Sequence, residues 1–367
     1  MEDMFIKEDI YFESVRRGHP DKMCDYIADS ILDAYRNEDK DARVACECFF
    51  AGKNLIIGGE ISSTAEVDAI KVAKNCIANI GYNPKMFEVT SHISKQSPEI
   101  DNLVSGDDIG AGDQGIVIGY ACNEEGYLPR EFQFIQGLMA RMDIEMIENV
   151  LLTGLMPDGK GYIARVDGKT RIHVSYESKD DGLTETRQEE LRSMIKEEYY
   201  SYGFDDKPEI TFIEYHFGGP LADTGLTGRK IVVDTYGGAG GTGGGSLCGK
   251  DPSKVDRTGA YLARQLAISI LNYLDCDEVE VKLGYSIGES KPVSLQYVVS
   301  GVGFDYASED MKFKSLDKIL ELYQNTEDIK VGNLIKKYFG NEFRGFNRLS
   351  AYGHFGRLDE EWEKPLF

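Results

Sequence analysis

The chain has 367 residues, of which 63 are acidic and 41 basic, so its formal net charge at pH 7 is −22. This negative net charge argues against nucleic acid as a partner and against docking on an anionic membrane, because both kinds of binding need a cationic surface. No run approaches the ~20 apolar residues of a spanning helix, and the acidic N-terminus lacks the apolar segment of a signal peptide. Seven cysteines without a C-x-x-C pair predict reduced thiols in a cytoplasmic protein, and neither a zinc site nor a disulfide framework.

Periodicity and turn signals predict a unit that recurs three times along the chain, in the order helix, hairpin, helix, strand. In the first copy a helix begins at Pro20 and carries apolar side chains every four residues on one face. The turn Gly52-Lys53-Asn54 separates the two strands of the hairpin that follows. The predicted elements of this copy are a helix at 20–35, strands at 43–50 and 55–61, a helix at 67–80 and a strand at 87–93.

The second and third copies repeat this order, and their first helices begin near 130 and 252. The second copy has a helix at 130–152, strands at 162–166 and 171–176, a helix at 186–200 and a strand at 209–215. The third has a helix at 252–274, strands at 279–286 and 293–299 and a helix at 316–323, and two further strands, at 116–120 and 230–236, join the copies. We therefore predict an α+β fold of three related sheet-and-helix subdomains, divided at 1–109, 110–220 and 221–367.

Two of these helices begin with the features of an anion site, where free backbone N–H groups and the positive end of the helix dipole attract negative charge. One start is Gly18-His19-Pro20-Asp21-Lys22, and residues 249–256 repeat it with Asp251 as the predicted N-cap. Each start combines cations with a carboxylate: His19 and Lys22 with Asp21, and Lys250 and Lys254 with Asp256. Carboxylates suit an anion site if they hold Mg²⁺ on a polyphosphate. The alternative is two capped helices with solvated charges, and the recurrence of the motif favours the anion site.

Other polar segments admit two interpretations each. Residues 244–250 approach a P-loop, but Asp251 stands where a serine or threonine should hold Mg²⁺, so we reject a P-loop NTPase. Arg229 and Lys230 form either a phosphate clamp or the solvated end of the predicted strand 230–236. Lys160 belongs to Pro157-Asp158-Gly159-Lys160, which by itself predicts a turn. The segment 97–109 is either a surface loop or a mobile lid.

Together these motifs resemble the S-adenosylmethionine synthetase (methionine adenosyltransferase) family, in family order over nearly the whole chain. The matching stretches are ESVRRGHPDK at 13–22, RVACE at 43–47, GGEI at 58–61, KQSPEI at 95–100, GAGDQG at 110–115, GGPLADTGLTGRKIVVDTYGG at 218–238, residues 243–261 and AYGHFGR at 351–357. The resemblance implies three partly discontinuous subdomains with pseudo-threefold symmetry, and a gating loop near 97–109. It also implies active sites at the subunit interface of a homodimer or homotetramer.

The implied reaction joins ATP and L-methionine. The methionine sulfur attacks the ribose 5′ carbon and expels triphosphate, which the same site hydrolyses to pyrophosphate and phosphate. Because the sulfur is already nucleophilic, the protein must align it and stabilise charge on the leaving polyphosphate. The implied cofactors are two Mg²⁺ per site and K⁺.

The resemblance also assigns roles residue by residue. The residues expected to act in catalysis are His19, Lys160, Arg229, Lys250 and Lys254. Those expected to bind ATP are His19, Asp113, Asp158, Lys160, Tyr215, Asp223, Arg229, Lys230, Ser246, Lys250 and Lys254. Those expected to bind methionine are Glu60, Gln96, Asp223 and Lys254. The metal ligands are expected to be Asp21 and Asp256 for Mg²⁺ and Glu47 for K⁺.

Several positions depart from the family pattern. Arg16-Arg17 replaces a small residue followed by glutamate, and Glu214-Tyr215 stands where the family has arginine and phenylalanine. Ser246-Leu247-Cys248 replaces Ala-Phe-Ser. No expected ligand is lost, so an active but divergent enzyme is predicted. The alternatives are a non-catalytic regulatory homologue and a polyphosphate or nucleotide hydrolase, and a hydrolase would need no methionine pocket.

Overall fold

The computed structural model describes residues 9–96, 109–148, 152–301, 306–340 and 342–367, so the predicted gating loop lies outside the described residues except for its last position. The strands are β1 (Ile10–Val15), β2 (Arg43–Ala51), β3 (Asn54–Ser62), β4 (Glu88–Ser94), β5 (Gly115–Cys122), β6 (Leu155–Val166), β7 (Lys169–Ser178), β8 (Glu209–Tyr215), β9 (Gly225–Leu226), β10 (Glu278–Tyr285) and β11 (Ser294–Ser300). The helices are α1 (Pro20–Glu38), α2 (Ala69–Ile80), α3 (Arg130–Glu148), α4 (Glu185–Ser201), α5 (Ile231–Asp234), α6 (Val255–Leu274), α7 (Tyr306–Asn325) and α8 (Val331–Tyr338).

The strands form three sheets with related strand orders, β9-β2-β3-β4, β1-β6-β7-β8 and β5-β10-β11. The two middle strands of the first two sheets are a hairpin, as are β10 and β11 in the third. The first strand of each hairpin pairs antiparallel with a strand from elsewhere in the chain. In the first two sheets a helix after the hairpin leads to an edge strand that runs parallel, β4 or β8. The predicted fold of three related sheet-and-helix units is therefore confirmed.

One helix layer covers one face of each sheet and forms the core. Helix α1 packs on β2 and α2, α3 packs on β1 and β6, and α6 packs on β5 and β10. Of the 20 residues of α6, 17 are buried, so this helix is surrounded by protein on nearly every side. No helix among the described residues has the length and apolar character needed to cross a bilayer. All seven cysteines are buried, and none of them forms a disulfide within the described residues.

The other face of each sheet carries exposed apolar side chains. In the β1-β6-β7-β8 sheet Tyr11 and Ile213 are 55% and 56% exposed. The first sheet exposes Ile56, and the third exposes Ile116 and Val298. Successive side chains of a strand point to opposite faces of the sheet, so these residues lie on the face opposite the helix layer. Each sheet therefore has one face in the core and one face with apolar side chains at the surface.

The predicted strand at 230–236 is wrong, because its first half forms the short helix α5. The Asp234 N–H donates to the Lys230 carbonyl at 2.9 Å, and the Thr235 hydroxyl donates to the Ile231 carbonyl at 2.8 Å. This turn directs the Asp234 carboxylate to the buried ammonium group of Lys22. The β-branched run favours a strand locally, but a buried ammonium group needs a carboxylate partner.

Three further predictions need correction. The helix predicted from Pro252 begins at Val255 with Lys254 as its N-cap, because Asp251 instead accepts the N–H groups of Val44 and Ser253. Lys160 lies inside β6 and not in a turn. Strand β1 and helix α8 were not predicted, and α7 extends well beyond the predicted 316–323.

Candidate active site

His19 is the N-cap of α1 and is only 2% exposed. The Asp21 backbone N–H donates to His19 Nδ1 at 3.2 Å, so Nδ1 carries no proton and the neutral ring carries its proton on Nε2. Nε2 is buried and has no hydrogen-bond partner among the described residues. Burial, together with the nearby charges of Lys230, Lys160, Lys22 and Arg229, lowers the pKa of His19 to about 2. The site therefore presents one neutral N–H donor among cations.

Asp21 fastens the segment that carries Arg229 and Lys230 to the first turn of α1. Its Oδ2 accepts a hydrogen bond from Lys230 Nζ at 2.6 Å, and its Oδ1 accepts the Leu226 N–H at 2.9 Å. Arg229 Nε lies 3.7 Å from Oδ1, with half of its side chain exposed. The structure thus brings both predicted phosphate ligands beside His19, although they precede a helix and not a strand.

Asp158, Lys160, Tyr215 and Asp223 reach the same region from β6, β8 and the turn after β8. The buried Asp158 carboxylate accepts the N–H of Gly159 at 2.8 Å and of Gly219 at 2.9 Å, and it hydrogen-bonds Tyr215. Burial raises the pKa of Asp158. The Asp223 N–H donates to the Gly219 carbonyl at 2.8 Å, so Asp158 organises the turn that presents Asp223. Lys160 is exposed and lies opposite Val15 of β1.

A second group of predicted ligands surrounds the start of α6. Lys250 Nζ donates to Asp256 Oδ2 at 2.6 Å, and Lys254 Nζ donates to Asp251 Oδ2 at 2.6 Å. A Cβ atom on Gly245 would lie 2.0 Å from Asp256 Oδ1, so glycine is needed beside this carboxylate. The exposed Asp113 accepts the N–H of Gln114, just before β5, and Ser246 donates to the Cys248 carbonyl at 3.2 Å.

Glu47 and Glu60 lie on the outward face of the first sheet. Glu47 pairs with Gly58 and Glu60 with Ala45 across the β2–β3 hairpin, and both glutamates are exposed. Gln96 follows β4, at the last described position before the predicted gating loop. It is buried, and its Oε1 has no hydrogen-bond partner within the described part of the chain.

The predicted ligands thus form two charged groups and one outward-facing carboxylate pair. The first group comprises His19, Asp21, Asp158, Lys160, Tyr215, Asp223, Arg229 and Lys230, and the second comprises Asp113, Ser246, Lys250, Lys254 and Asp256. Within residues 9–96, 109–148, 152–301, 306–340 and 342–367, no hydrogen bond or ion pair joins a side chain of one group to a side chain of the other.

Lys22, which the sequence suggested as an anion ligand, is instead part of the core. It is fully buried, and its ammonium group donates to Asp25 at 3.1 Å and to Asp234. Glu214 also points away from the site, because it accepts the Leu183 N–H at 2.6 Å. Sequence reasoning missed these roles because they involve Asp234, 212 positions from Lys22, and Leu183, 31 positions from Glu214.

His354 lies in the same buried core as Lys22. Its Nδ1 is 2.7 Å from the Tyr261 hydroxyl and its Nε2 is 3.5 Å from Cys248 Sγ. Ligand-type atoms of Asp234, Cys248 and His354 lie within 4.8 Å of one another. The Lys22 ammonium group already supplies positive charge to Asp234, so we interpret this trio as structural.

We expect His354 to make the fold sensitive to acid. Burial, and then the charges of Arg257, Lys22, Arg357 and Arg348, lowers the pKa of His354 well below its ordinary value. Above the unfolded-state pKa of about 6.5, His354 is neutral in both the folded and the unfolded chain. Below that pH the unfolded chain binds a proton that the folded chain does not, so the free energy of unfolding falls as the pH falls. The unfolding free energy of the native chain should therefore fall more steeply than that of a His354→Gln variant, by about 1.4 kcal/mol per pH unit below pH 6.5. Urea titrations of both proteins between pH 7.5 and 5.5 test this, and parallel pH curves would contradict it.

Comparison with known proteins places these motifs in one family. Three family models match in order: "S-adenosylmethionine synthetase, N-terminal domain" at 10–98, the central domain at 108–205 and the C-terminal domain at 217–364. An S-adenosylmethionine synthase of Syntrophobacter fumaroxidans is 38% identical over 381 aligned residues, which cover 96% of this chain and 94% of that protein. Its counterparts from Mycoplasmopsis synoviae and Mycoplasma pneumoniae are each 37% identical and each cover 96% of this chain, and the matches span 93% and 92% of those proteins. Because the three models follow one another along almost the entire chain and the relatives match at nearly full length, this chain belongs to the S-adenosylmethionine synthetase family.

Proposed function

We propose that this chain is a cytoplasmic methionine adenosyltransferase, which makes S-adenosylmethionine from ATP and L-methionine and hydrolyses the released triphosphate to pyrophosphate and phosphate. The observation that carries the proposal is the buried Nε2–H of His19, which lies among Lys160, Arg229 and Lys230 and has no hydrogen-bond partner in the described part of the chain. Such an arrangement suits a leaving group with several negative charges and one oxygen on which charge develops as its bond to carbon breaks.

In this mechanism the methionine sulfur supplies the electron pair for the new bond to the ribose 5′ carbon. The bond from that carbon to the triphosphate oxygen breaks, and its electron pair leaves with triphosphate. His19 donates its Nε2–H to that oxygen as charge develops, and the cations hold the phosphates in place. The same cations then hold triphosphate while water cleaves it, which explains how one site serves both steps.

The residues present fit the metals that the family resemblance implies. Asp21 and Asp256 offer hard carboxylate oxygens at two helix starts that attract anions, and Gly245 leaves room beside Asp256. Two Mg²⁺ ions held there would neutralise polyphosphate charge. We assign K⁺ to the exposed Glu47 carboxylate. The Asp21 and Asp256 carboxylates pair with Lys230 and Lys250, respectively, so these side chains balance each other's charge.

We further propose that a second copy of this chain completes each site. Lys160 and Tyr215 lie on the outward face of one sheet, and Glu47 and Glu60 lie on the outward face of another. The apolar neighbours on those faces include Tyr11, Ile213 and Ile56. Contact between outward faces of two copies would bury these apolar side chains and bring the first ligand group of one copy to the second group of its partner. Methionine would bind at Glu60, Gln96, Asp223 and Lys254.

The test is to incubate the protein with ATP, methionine, Mg²⁺ and K⁺ and to measure S-adenosylmethionine, pyrophosphate and phosphate. We expect one pyrophosphate and one phosphate for each S-adenosylmethionine formed. Phosphate release that does not depend on methionine, without S-adenosylmethionine, would indicate a polyphosphate hydrolase. No turnover, with activation of a partner synthetase, would indicate a regulatory homologue.

A further inference from the structure

Arg16 is fully buried at the point where β1 passes into the His19 motif. Its positive charge is neutralised by Asp143, since Nε and one terminal nitrogen lie 2.8 and 2.7 Å from Asp143 Oδ1. A buried and paired guanidinium group cannot reach the polyphosphate, so any effect of Arg16 on the reaction must be indirect.

The remaining donors of Arg16 hold the strand that carries Asp158 and Lys160. Its other terminal nitrogen donates to the Met156 carbonyl at 2.5 Å and to the Asp158 carbonyl at 3.3 Å. The Arg16 backbone N–H donates to the Gly159 carbonyl at 2.9 Å. The pairing of β6 with β7 shifts register between Leu155 and Gly159. Arg16 therefore binds carbonyl groups at the irregular part of β6, where the regular ladder does not satisfy them.

Close packing joins the same two segments. A Cβ atom on Gly18 would lie 2.3 Å from Pro157 Cβ, and a Cβ atom on Gly159 would lie 2.9 Å from Arg16 Cδ. Asp143 adds a link to the C-terminal AYGHFGR segment, because its Oδ2 accepts the Arg17 N–H at 3.1 Å and the Tyr352 hydroxyl. The His19 segment and the irregular part of β6 are thus fastened to each other through one guanidinium group.

We propose that Arg16 is a positioning residue for the ATP side of the site: by binding the β6 carbonyls it sets the distance from Asp158 and Lys160 to His19. This inference rests on the proposed function. The planar guanidinium group suits this role, because its fixed fork binds a carboxylate on one side and carbonyls on the other. A lysine keeps the charge but lacks that geometry.

A second buried arginine provides a matched control. Arg264 is also fully buried, and it binds Glu363 and the carbonyls of Tyr120 and Tyr127, at 2.5 and 3.0 Å. None of these partners belongs to the proposed ATP or methionine ligands. Removing either arginine together with the charge of its carboxylate partner should cost comparable stability. Only loss of Arg16 should change the site.

The experiment compares Arg16→Met/Asp143→Asn, Arg264→Met/Glu363→Gln and Arg16→Lys with the native protein. Melting temperature, kcat, and KM for ATP and for methionine are measured on each, and ATP affinity is measured by calorimetry without methionine. We expect both double variants to melt earlier, but only the Arg16 pair to weaken ATP binding and raise the KM for ATP, by roughly tenfold or more, with little change in the KM for methionine. The ATP affinity of Arg16→Lys should lie between those of the native protein and the double variant. If the double variant does not fold, Arg16→Lys is compared with the native protein instead.

Native ATP affinity in Arg16→Met/Asp143→Asn, or an equal loss in the Arg264 pair, would overturn the inference. If a double variant does not fold, native ATP affinity in Arg16→Lys would overturn it. If the native protein makes no S-adenosylmethionine, the proposed function fails, and the calorimetric comparison still decides the role of Arg16.

Discussion

Asp21→Asn and Asp256→Asn should each lower the rate of S-adenosylmethionine formation roughly 100-fold to 1,000-fold at saturating substrates. Each substitution keeps an oxygen for neighbouring donors, such as the Leu226 N–H that Asp21 accepts at 2.9 Å. It removes the charge that would bind Mg²⁺, and it leaves Lys230 or Lys250 without its carboxylate partner. Steady-state assays over a range of Mg²⁺ concentrations give the measurement.

The control for this pair is Asp33→Asn. Asp33 lies on the same helix as Asp21 and accepts the N–H groups of Phe346 and Asn347 at 2.8–3.0 Å, and neither of these residues is a proposed ligand. Its substitution should lower stability and leave kcat near the native value. Native turnover in Asp21→Asn and Asp256→Asn would refute the metal assignment.

The same two variants test whether each site is shared between copies. If Asp21 and Asp256 of one site come from different subunits, a mixed dimer of the two variants has one intact site. Random association of equal amounts should then restore about one quarter of native activity. Mixtures that remain as inactive as either variant alone, although subunits exchange, would place both aspartates of a site in one chain.

Lys160→Met should reduce kcat/KM for ATP by roughly 30-fold to 1,000-fold, which corresponds to a loss of about 2–4 kcal/mol in transition-state stabilisation. Lys160 is exposed on β6 beside His19, and its charge is close enough to lower the pKa of His19. Because its side chain lies outside the core, the variant should melt as the native protein does. Hydrolysis of added triphosphate should fall as well, since both steps use the same cations.

Lys169→Met serves as the control for Lys160, because Lys169 is an exposed lysine at the far end of the same hairpin. It should retain native kinetics. A Lys160→Met variant within threefold of native kcat/KM would show that this lysine is merely solvated, as its turn-like motif by itself suggests.

Local sequence patterns predicted the secondary structure correctly where residues close together in the chain determine it. The strand at 209–215 and the start of α3 at 130 agree with the structure to the residue. The hairpin between β2 and β3 turns at the predicted Gly52, because this turn needs a residue that tolerates positive φ, here 59°. Gly168, with φ of 70°, serves the same purpose between β6 and β7. Apolar periodicity on α1 likewise predicted its buried face.

Distant partners decided the rest. Residues 231–234 of the predicted strand form a helix instead, which brings Asp234 to the buried Lys22, 212 positions away. Asp251 is not a helix N-cap, because its carboxylate accepts the Val44 N–H of β2. Lys22 forms ion pairs in the core and does not face the proposed polyphosphate site. Burial of a charge is costly without a partner, so such pairs override local propensity, and nothing in the local sequence identifies the partner.

The sequence by itself determined the family, the three related units and the identity of the candidate ligands, because those follow from motif order, short-range periodicity and side-chain chemistry. Only the tertiary structure decided that His19 is a neutral Nε2–H donor, since the Asp21 N–H on its Nδ1 and the surrounding cations select that state. The structure alone also separated the ligands into two groups and placed Arg16 between β6 and the His19 segment. Apart from the local Asp21–His19 hydrogen bond, these features depend on contacts between residues more than 100 positions apart, and such contacts exist only once the three units have packed together.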